Sequence, residues 1–176
     1  MGINFVLTLS GTDRVGIVDE ITESLLELGG NIETSRMARL GGEFAVLMLV
    51  SIPSDKQDEL QKTVKDLTSR GYKVTTTLTN QGGSLACQGW SPYRIEVHGA
   101  DHEGIVQAIA HSFALKGINI ENMDTGNTRA PNSGALLFTM NALVLVPPGL
   151  DVNLWQEELE IAGRNQHVDI VVTPGI

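Results

Sequence analysis

The chain holds one cysteine, Cys87, among 176 residues. A single thiol makes no intramolecular disulfide and builds no thiolate metal site. Set in a Gly/Ser/Gln-rich stretch, Cys87 reads as a connector residue and not as a nucleophile. Basic residues are also short: 12 Lys and Arg stand against 21 Asp and Glu, a formal net charge of −9. Residues 1–80 carry 8 basic and 11 acidic side chains, and residues 81–176 carry 4 and 10, so both halves share the sign. Nucleic-acid binding depends on Lys and Arg displacing counterions from phosphates, and no basic stripe supplies them. Any effect on a gene is expected to pass through another protein. Long apolar runs are missing too. None reaches the ~18 residues that span a bilayer, and the N-terminus has no signal-peptide pattern. Met1-Gly2 is followed by Val6 where a myristoylation signal needs Ser or Thr. The expected compartment is the cytoplasm, with no membrane contact.

Catalytic constellations are equally scarce. The four histidines, His98, His102, His111 and His167, form no metal-ligand pair with one another or with Cys87. Ser10, Ser24 and Ser112 lack a nucleophile-elbow context, and "RLGGE" is a hairpin tip without the Gly-Lys-Ser/Thr of a phosphate loop. Trp90 and Trp155 read as packing residues, not platforms for bases, and the methionines as core filler. The expectation is a protein that is not an enzyme and uses no cofactor or metal.

What the chain does contain is a repeat. "GTDRVGIV" at Gly11–Val18 returns 88 residues later as "GADHEGIV" at Gly99–Val106, and without a gap 11 of the 23 positions from Gly11 to Glu33 recur. Beyond Glu33 the register drifts, with Gly42 matching Gly134 and Pro53 matching Pro147. Two copies indicate two domains, 1–80 and 93–176, with a linker over 81–92.

Each copy has the same order of elements. Phe5, Leu7 and Leu9 alternate as in a strand, and Ile17, Ile21, Leu25 and Leu28 then recur at helical spacing before Gly29-Gly30. Asn31–Arg39 and Phe44–Ile52 flank the short connection "LGGE" as a hairpin. Pro53-Ser54-Asp55 starts a second helix with Leu60, Val64 and Leu67 on one stripe, ended by Gly71 and followed by the β-rich "YKVTTTLT". The second copy repeats the order over Tyr93–His98, Gly104–Lys116, Asn119–Asn127, Leu136–Val146, Val152–Ala162 and Val168–Thr173. The pattern predicts an α+β chain of two ferredoxin-like βαββαβ domains, each an antiparallel sheet with both helices on one face. In Phe44–Ile52 both alternating sets are apolar, which predicts burial on both faces. The cover would be the sister domain or a second molecule, so a homodimer is one possibility.

The repeated turn joins the first strand to the first helix. Asp13 and Asp101 are suited to cap those helices, and Gly16 and Gly104 let the backbone approach a neighbour closely. Helix-start N–H groups favour an anion such as a small carboxylate, although Asp-x-x-Gly also reads as a well-made cap and nothing more. Asn31 and Asn119, at the entry to the second strand, each offer a donor and an acceptor that suit both ends of an amino acid. Equally, Asn31 reads as a left-handed exit from the helix.

A βαββαβ unit with Asp-x-x-Gly-Ile-Val at its first helix and Gly-x-Asn-Ile at its second strand resembles the ACT domain, a module that binds amino acids at domain interfaces. Thr128–Pro147, "TRAPNSGALLFTMNALVLVP", is similar to the hairpin and third strand of the glycine cleavage system transcriptional repressor family. That family is a tandem of two ACT domains without a DNA-binding domain. The resemblance implies a non-enzymatic regulator that binds glycine or another small amino acid and contacts a transcriptional activator. The alternative is a regulatory subunit of an amino-acid metabolic enzyme; no catalytic domain accompanies the pair here, which favours action in trans. The implied ligand residues are Asp13, Arg14, Val15, Gly16, Ile17, Asn31 and Ile32 in the first copy, and Asp101, His102, Gly104, Ile105, Asn119 and Ile120 in the second. Val15 replaces a common proline and keeps an N–H. His102 and Glu103 replace Arg-Pro, and the Glu103 carboxylate opposes an anion unless His102 is protonated. The first copy is therefore expected to hold the ligand and the second to serve contact with a partner.

Overall fold

A computed structural model of the chain describes residues 2–79, 87–131 and 133–175. The expected linker over 81–92 lies in part outside these residues. The fold divides into two compact units, Met1–Ser84 and Leu85–Ile176. In the first, β1 (Gly2–Thr12), α1 (Ile17–Glu27), β2 (Asn31–Leu40), β3 (Glu43–Pro53), α2 (Gln57–Ser69) and β4 (Lys73–Leu78) follow in order. A 3-10 turn over Ser54–Lys56 leads into α2, so the α-helix proper begins later than "PSD" implies. The second unit runs β5 (Ser91–Ala100), α3 (Ile105–Leu115), β6 (Asn119–Arg129), β7 (Leu136–Val146), α4 (Val152–Asn165) and β8 (Val168–Pro174).

The two sheets are antiparallel and share one topology, β2-β3-β1-β4 and β6-β7-β5-β8. This is the ferredoxin-like arrangement that the element order predicts. Period-two burial decides which sheet face meets the helices. Phe5, Leu7 and Leu9 of β1 and Val46, Met48, Val50 and Ile52 of β3 are buried with Ile17, Ile21 and Leu25 of α1 and Leu60 and Leu67 of α2 in one core. The second core repeats this with Ile95, Val97, Met140, Val144, Ile109, Phe113, Trp155 and Leu159. Trp155 packs edge-on against Tyr93, ring centroids 5.3 Å apart.

Within the single chain, β3 is buried on one face. Val46, Met48, Val50 and Ile52 are buried, but Ala45 faces out, Leu49 is half-buried and Leu47 is 48% exposed. Both helices occupy the same face, so no element of the unit covers the other. The edge strands β2 and β6 each carry an irregularity near their start, between Ile32 and Thr34 and between Ile120 and Asn122.

Candidate functional site

The repeated turn is built by glycines. Gly16 and Gly104 occupy the N-cap positions of α1 and α3 in left-handed conformations, φ +93° and +96°, which a side chain strongly disfavours. Their carbonyls accept the first helical bonds, from Glu20 N–H at 3.0 Å and Ala108 N–H at 2.9 Å. Gly11 and Gly99 are needed for a different reason, close approach. A Cβ on Gly11 would lie 2.9 Å from the Tyr72 ring, and one on Gly99 would lie 2.6 Å from Val168 Cγ1.

Asp13 and Asp101 do not cap the helices: among the described residues, no side chain bonds the first-turn amides of α1 or α3. With the glycine at N-cap, each aspartate stands three residues too early. Its carboxylate instead ties the turn to the neighbouring hairpin. Asp13 Oδ2 accepts from Arg39 Nη1 at 3.4 Å, and Asp101 Oδ2 accepts from Asn127 Nδ2 at 2.9 Å. Their backbone N–H groups donate to Gly42 O and Leu136 O at 2.9 and 3.0 Å. The first-turn amides of α1 are thus left without a side-chain acceptor.

Arg14 turns away from solvent-facing Val15, which is 99% exposed. Its guanidinium pairs with Glu20, donates to Tyr72 Oη at 2.8 Å and lies 5.7 Å from the Tyr72 ring centroid. Tyr72 donates onward to Glu20 at 2.7 Å, and Arg70 reaches the same carboxylate at 3.1 Å. The Tyr72 hydrogen bond, followed by those from the two arginines, holds the Glu20 carboxyl below its ordinary range despite partial desolvation. Burial, then the facing Glu20 carboxylate, pushes the Tyr72 phenol up. Arg14 therefore locks the turn onto the α2–β4 junction.

Further along α1, the helix and the start of β2 enclose an open groove of about 510 Å³. Asn31 and Ile32 line it from β2, and Asp19, Thr22, Glu23 and Leu26 line it from α1. Leu26 is 72% exposed. The Asn31 side chain makes no hydrogen bond with any described residue. A donor, an acceptor, two carboxylates and an apolar wall are thus brought together. Asp13, Arg14, Val15 and Gly16 remain in the turn outside the lining, and Ile17 is buried in the core.

A family model of the ACT domain matches residues 4–76. A crystal structure of an unknown protein from Galdieria sulphuraria superimposes with a TM-score of 0.88 at 32% identity, covering 100% of both chains. This chain carries an ACT domain. Over 46 residues it is 52% identical to the glycine cleavage system transcriptional repressors of Escherichia coli (strain K12) and Shigella flexneri. That stretch is 26% of this chain and 24% of theirs, so the match spans about a quarter of the length of these curated relatives. A crystal structure provisionally described as a glycine cleavage system transcriptional repressor shares the fold, with a TM-score of 0.71 at 22% identity over 99% of this chain and 98% of that one.

The second ACT domain keeps the scaffold and changes the contacts. Asn119 spends its amide on Glu121 Oε1 at 2.8 Å. Ile105 is buried, and Ile120 is 36% exposed. His102 stands where Arg14 stands in the first ACT domain. Its Nε2 lies 2.6 Å from Gln166 O and its Nδ1 2.9 Å from Glu103 O. Both partners are carbonyl acceptors, so only the imidazolium satisfies both. The Gln166 carbonyl, then that of Glu103, with the Asp101 charge behind them, raises the His102 pKa. Asp19, Thr22, Glu23 and Leu26 belong to no motif. Their spacing of i, i+3, i+4 and i+7 is the signal that places them on one stripe of α1.

Proposed function

We propose that this chain is an amino-acid-sensing regulatory protein, and that its ligand enters the α1–β2 groove of the first ACT domain. The observation that carries the reading is the uncommitted Asn31 amide on a groove whose opposite wall is α1; the corresponding Asn119 is already bonded to Glu121. Asp19 and Glu23 suit an α-ammonium group, and the Asn31 side chain, with both a donor and an acceptor, suits either end of the ligand. A small amino acid fits this set, and the matched stretch shared with the glycine cleavage system transcriptional repressors makes glycine the first to test. The acidic chain acts on its target by protein contact, a transcriptional activator before a metabolic enzyme, and not by binding nucleic acid itself.

Glycine has five non-hydrogen atoms, so a ceiling of about 1.5 kcal/mol per atom limits binding to about 7.5 kcal/mol and Kd to no tighter than about 3 µM. The test is thermal unfolding with a panel of amino acids at millimolar concentration. A ligand at about 100 times its Kd adds about 2.7 kcal/mol, a rise of about 5–10 °C for a chain of this size melting as one unit. A selective rise for glycine or serine supports the reading. No rise with any amino acid refutes the sensing role, and co-purification with a large catalytic chain in place of an activator refutes the partner.

A further inference from the structure

The second sheet packs one face on its helices and leaves the other open. On that open face, side chains of β5, β6 and β7 surround a depression of about 230 Å³. Strand register builds it. Asp124 lies opposite Asn141, and Asn141 opposite Glu96; one step along, Asn122 lies opposite Leu143, and Leu143 opposite Arg94. Neighbouring strands are ~4.8 Å apart and residues i and i+2 of one strand ~6.7 Å apart. One guanidinium and two carboxylates therefore share a patch ~10 Å across.

These groups are not consumed by the fold. The Arg94 guanidinium makes no ion pair with a described residue, and neither Asp124 nor Asn141 makes a side-chain hydrogen bond with one. Glu96 meets His98 Nε2 only at 3.9 Å, with both side chains about half exposed. Asn122 Oδ1 accepts from Leu143 N–H at 3.3 Å, which leaves its NH₂ uncommitted. Nor does the scaffold require charge here. At the same register the first sheet carries Val6 for Arg94, Thr8 for Glu96, Thr34 for Asn122, Leu47 for Asn141 and Leu49 for Leu143, with Arg36 in place of Asp124. The same fold accepts three apolar residues, two threonines and a single charge at these positions, so it does not call for Arg94 and two carboxylates side by side.

We propose that the open face of the second sheet binds a small zwitterion, a molecule carrying a carboxylate and an ammonium one or two carbons apart. Arg94 offers a planar fork that matches a carboxylate. Glu96, Asp124 and the Asn141 carbonyl oxygen offer acceptors for the three N–H bonds of an ammonium. A lone anion would meet two carboxylates and a lone cation would meet Arg94; a zwitterion satisfies both. Taking about 30 Å³ for each water-sized group, the depression admits a molecule of about five to eight non-hydrogen atoms. The site lies on the other ACT domain from the α1–β2 groove and stands whether or not that groove binds.

The test is a ¹H–¹⁵N NMR titration of the full chain with glycine, its amide glycinamide and N-acetylglycine, the last two each lacking one of the two charges. Glycine is expected to give saturable shifts at the amides of Glu96, Asn122, Asp124 and Asn141, while both analogues bind at least about tenfold more weakly there. Arg94→Val, which installs the residue found at this register in the first sheet, and Asp124→Asn are each expected to raise Kd at these amides at least about tenfold. Neither changes the shifts around Asn31. Absence of saturable shifts at the four amides with glycine, serine and alanine overturns the site, as does glycinamide binding as well as glycine. Shifts confined to Asn31 and its groove overturn this site alone; shifts confined to the four amides leave this site intact and overturn the placement of the ligand in the α1–β2 groove.

Discussion

Substituting Gly99 by alanine tests whether the repeated turn is held by close approach. The new Cβ would sit 2.6 Å from Val168 Cγ1 and 3.0 Å from both His167 O and Val168 Cα, where carbon atoms prefer about 3.5–4.0 Å. Two of the three neighbours are backbone, and Val168 is paired with Gly99 across the sheet, so β8 must move as a strand. Overpacking of this kind costs about 1–3 kcal/mol. Gly11→Ala meets chiefly the Tyr72 ring, at 2.9 Å, with the nearest backbone atom at 3.8 Å; one side chain and no strand must give, and we expect the lower end of that range, about 1 kcal/mol. Gly16→Ala meets nothing within 4 Å and loses only its left-handed conformation, about 1–2 kcal/mol. Both tryptophans, Trp90 and Trp155, belong to the second unit, so their fluorescence reports its unfolding in urea while circular dichroism reports both units. With m near 1–1.5 kcal/mol/M, Gly99→Ala lowers the fluorescence midpoint by about 0.7–3 M, and Gly11→Ala leaves it unchanged. An unmoved fluorescence midpoint in Gly99→Ala, or a greater total loss in Gly11→Ala, would refute the reasoning.

Three further expectations concern the site and its electrostatics. Asn31→Ala weakens binding of the small amino acid about 3–10-fold by isothermal calorimetry while Asn119→Ala leaves affinity at the α1–β2 groove unchanged; equal effects would remove the asymmetry between the two domains. His102, whose folded pKa is raised, contributes stability that is fully present below its unfolded value near 6.5 and is lost as pH rises through the folded value. Its C2 proton should therefore titrate above pH 6.5, and His102→Asn should flatten the alkaline decline of the fluorescence midpoint. Glu20, whose folded pKa is lowered chiefly by Tyr72, contributes stability present above about pH 4.5 and lost as pH falls through its folded value. Tyr72→Phe should shrink that acid-side loss, read by circular dichroism between about pH 5 and 3; an unchanged acid limb would remove Tyr72 from the network.

The element order was legible because periodicity and punctuation agreed. Leu136–Val146 alternates apolar residues along its whole length, and the strand has those ends; Gly29 and Gly71 stop their helices in left-handed conformations, φ +68° and +98°. The role of Asp13 was not legible. Asp-x-x-Gly has the look of a capping sequence, but the glycine takes the N-cap and the carboxylate finds a partner 26 residues away, Arg39 in one copy and Asn127 in the other. Local spacing cannot show a contact made across a hairpin. The cover of the second apolar face of β3 was not legible either, for a related reason. Composition measures how apolar a face is, whereas the placement of both helices on one side decides whether it is covered. Of the groove, Asn31 and Ile32 were named from their motif, while the α1 stripe opposite them is polar enough to pass for an ordinary solvated surface.

The irregularities in β2 and β6 are held in common by the two halves. They fall between Ile32 and Thr34 and between Ile120 and Asn122, the same place 88 residues apart, and set aside Glu33 and Glu121. Two ancestors evolving separately would have little reason to kink at one shared glutamate, so the kink is older than the doubling of the gene. The open faces are not held in common in this way, since Val6, Thr8 and Leu47 on one sheet stand where Arg94, Glu96 and Asn141 stand on the other; the doubled chain keeps its kink where its open faces are free to differ.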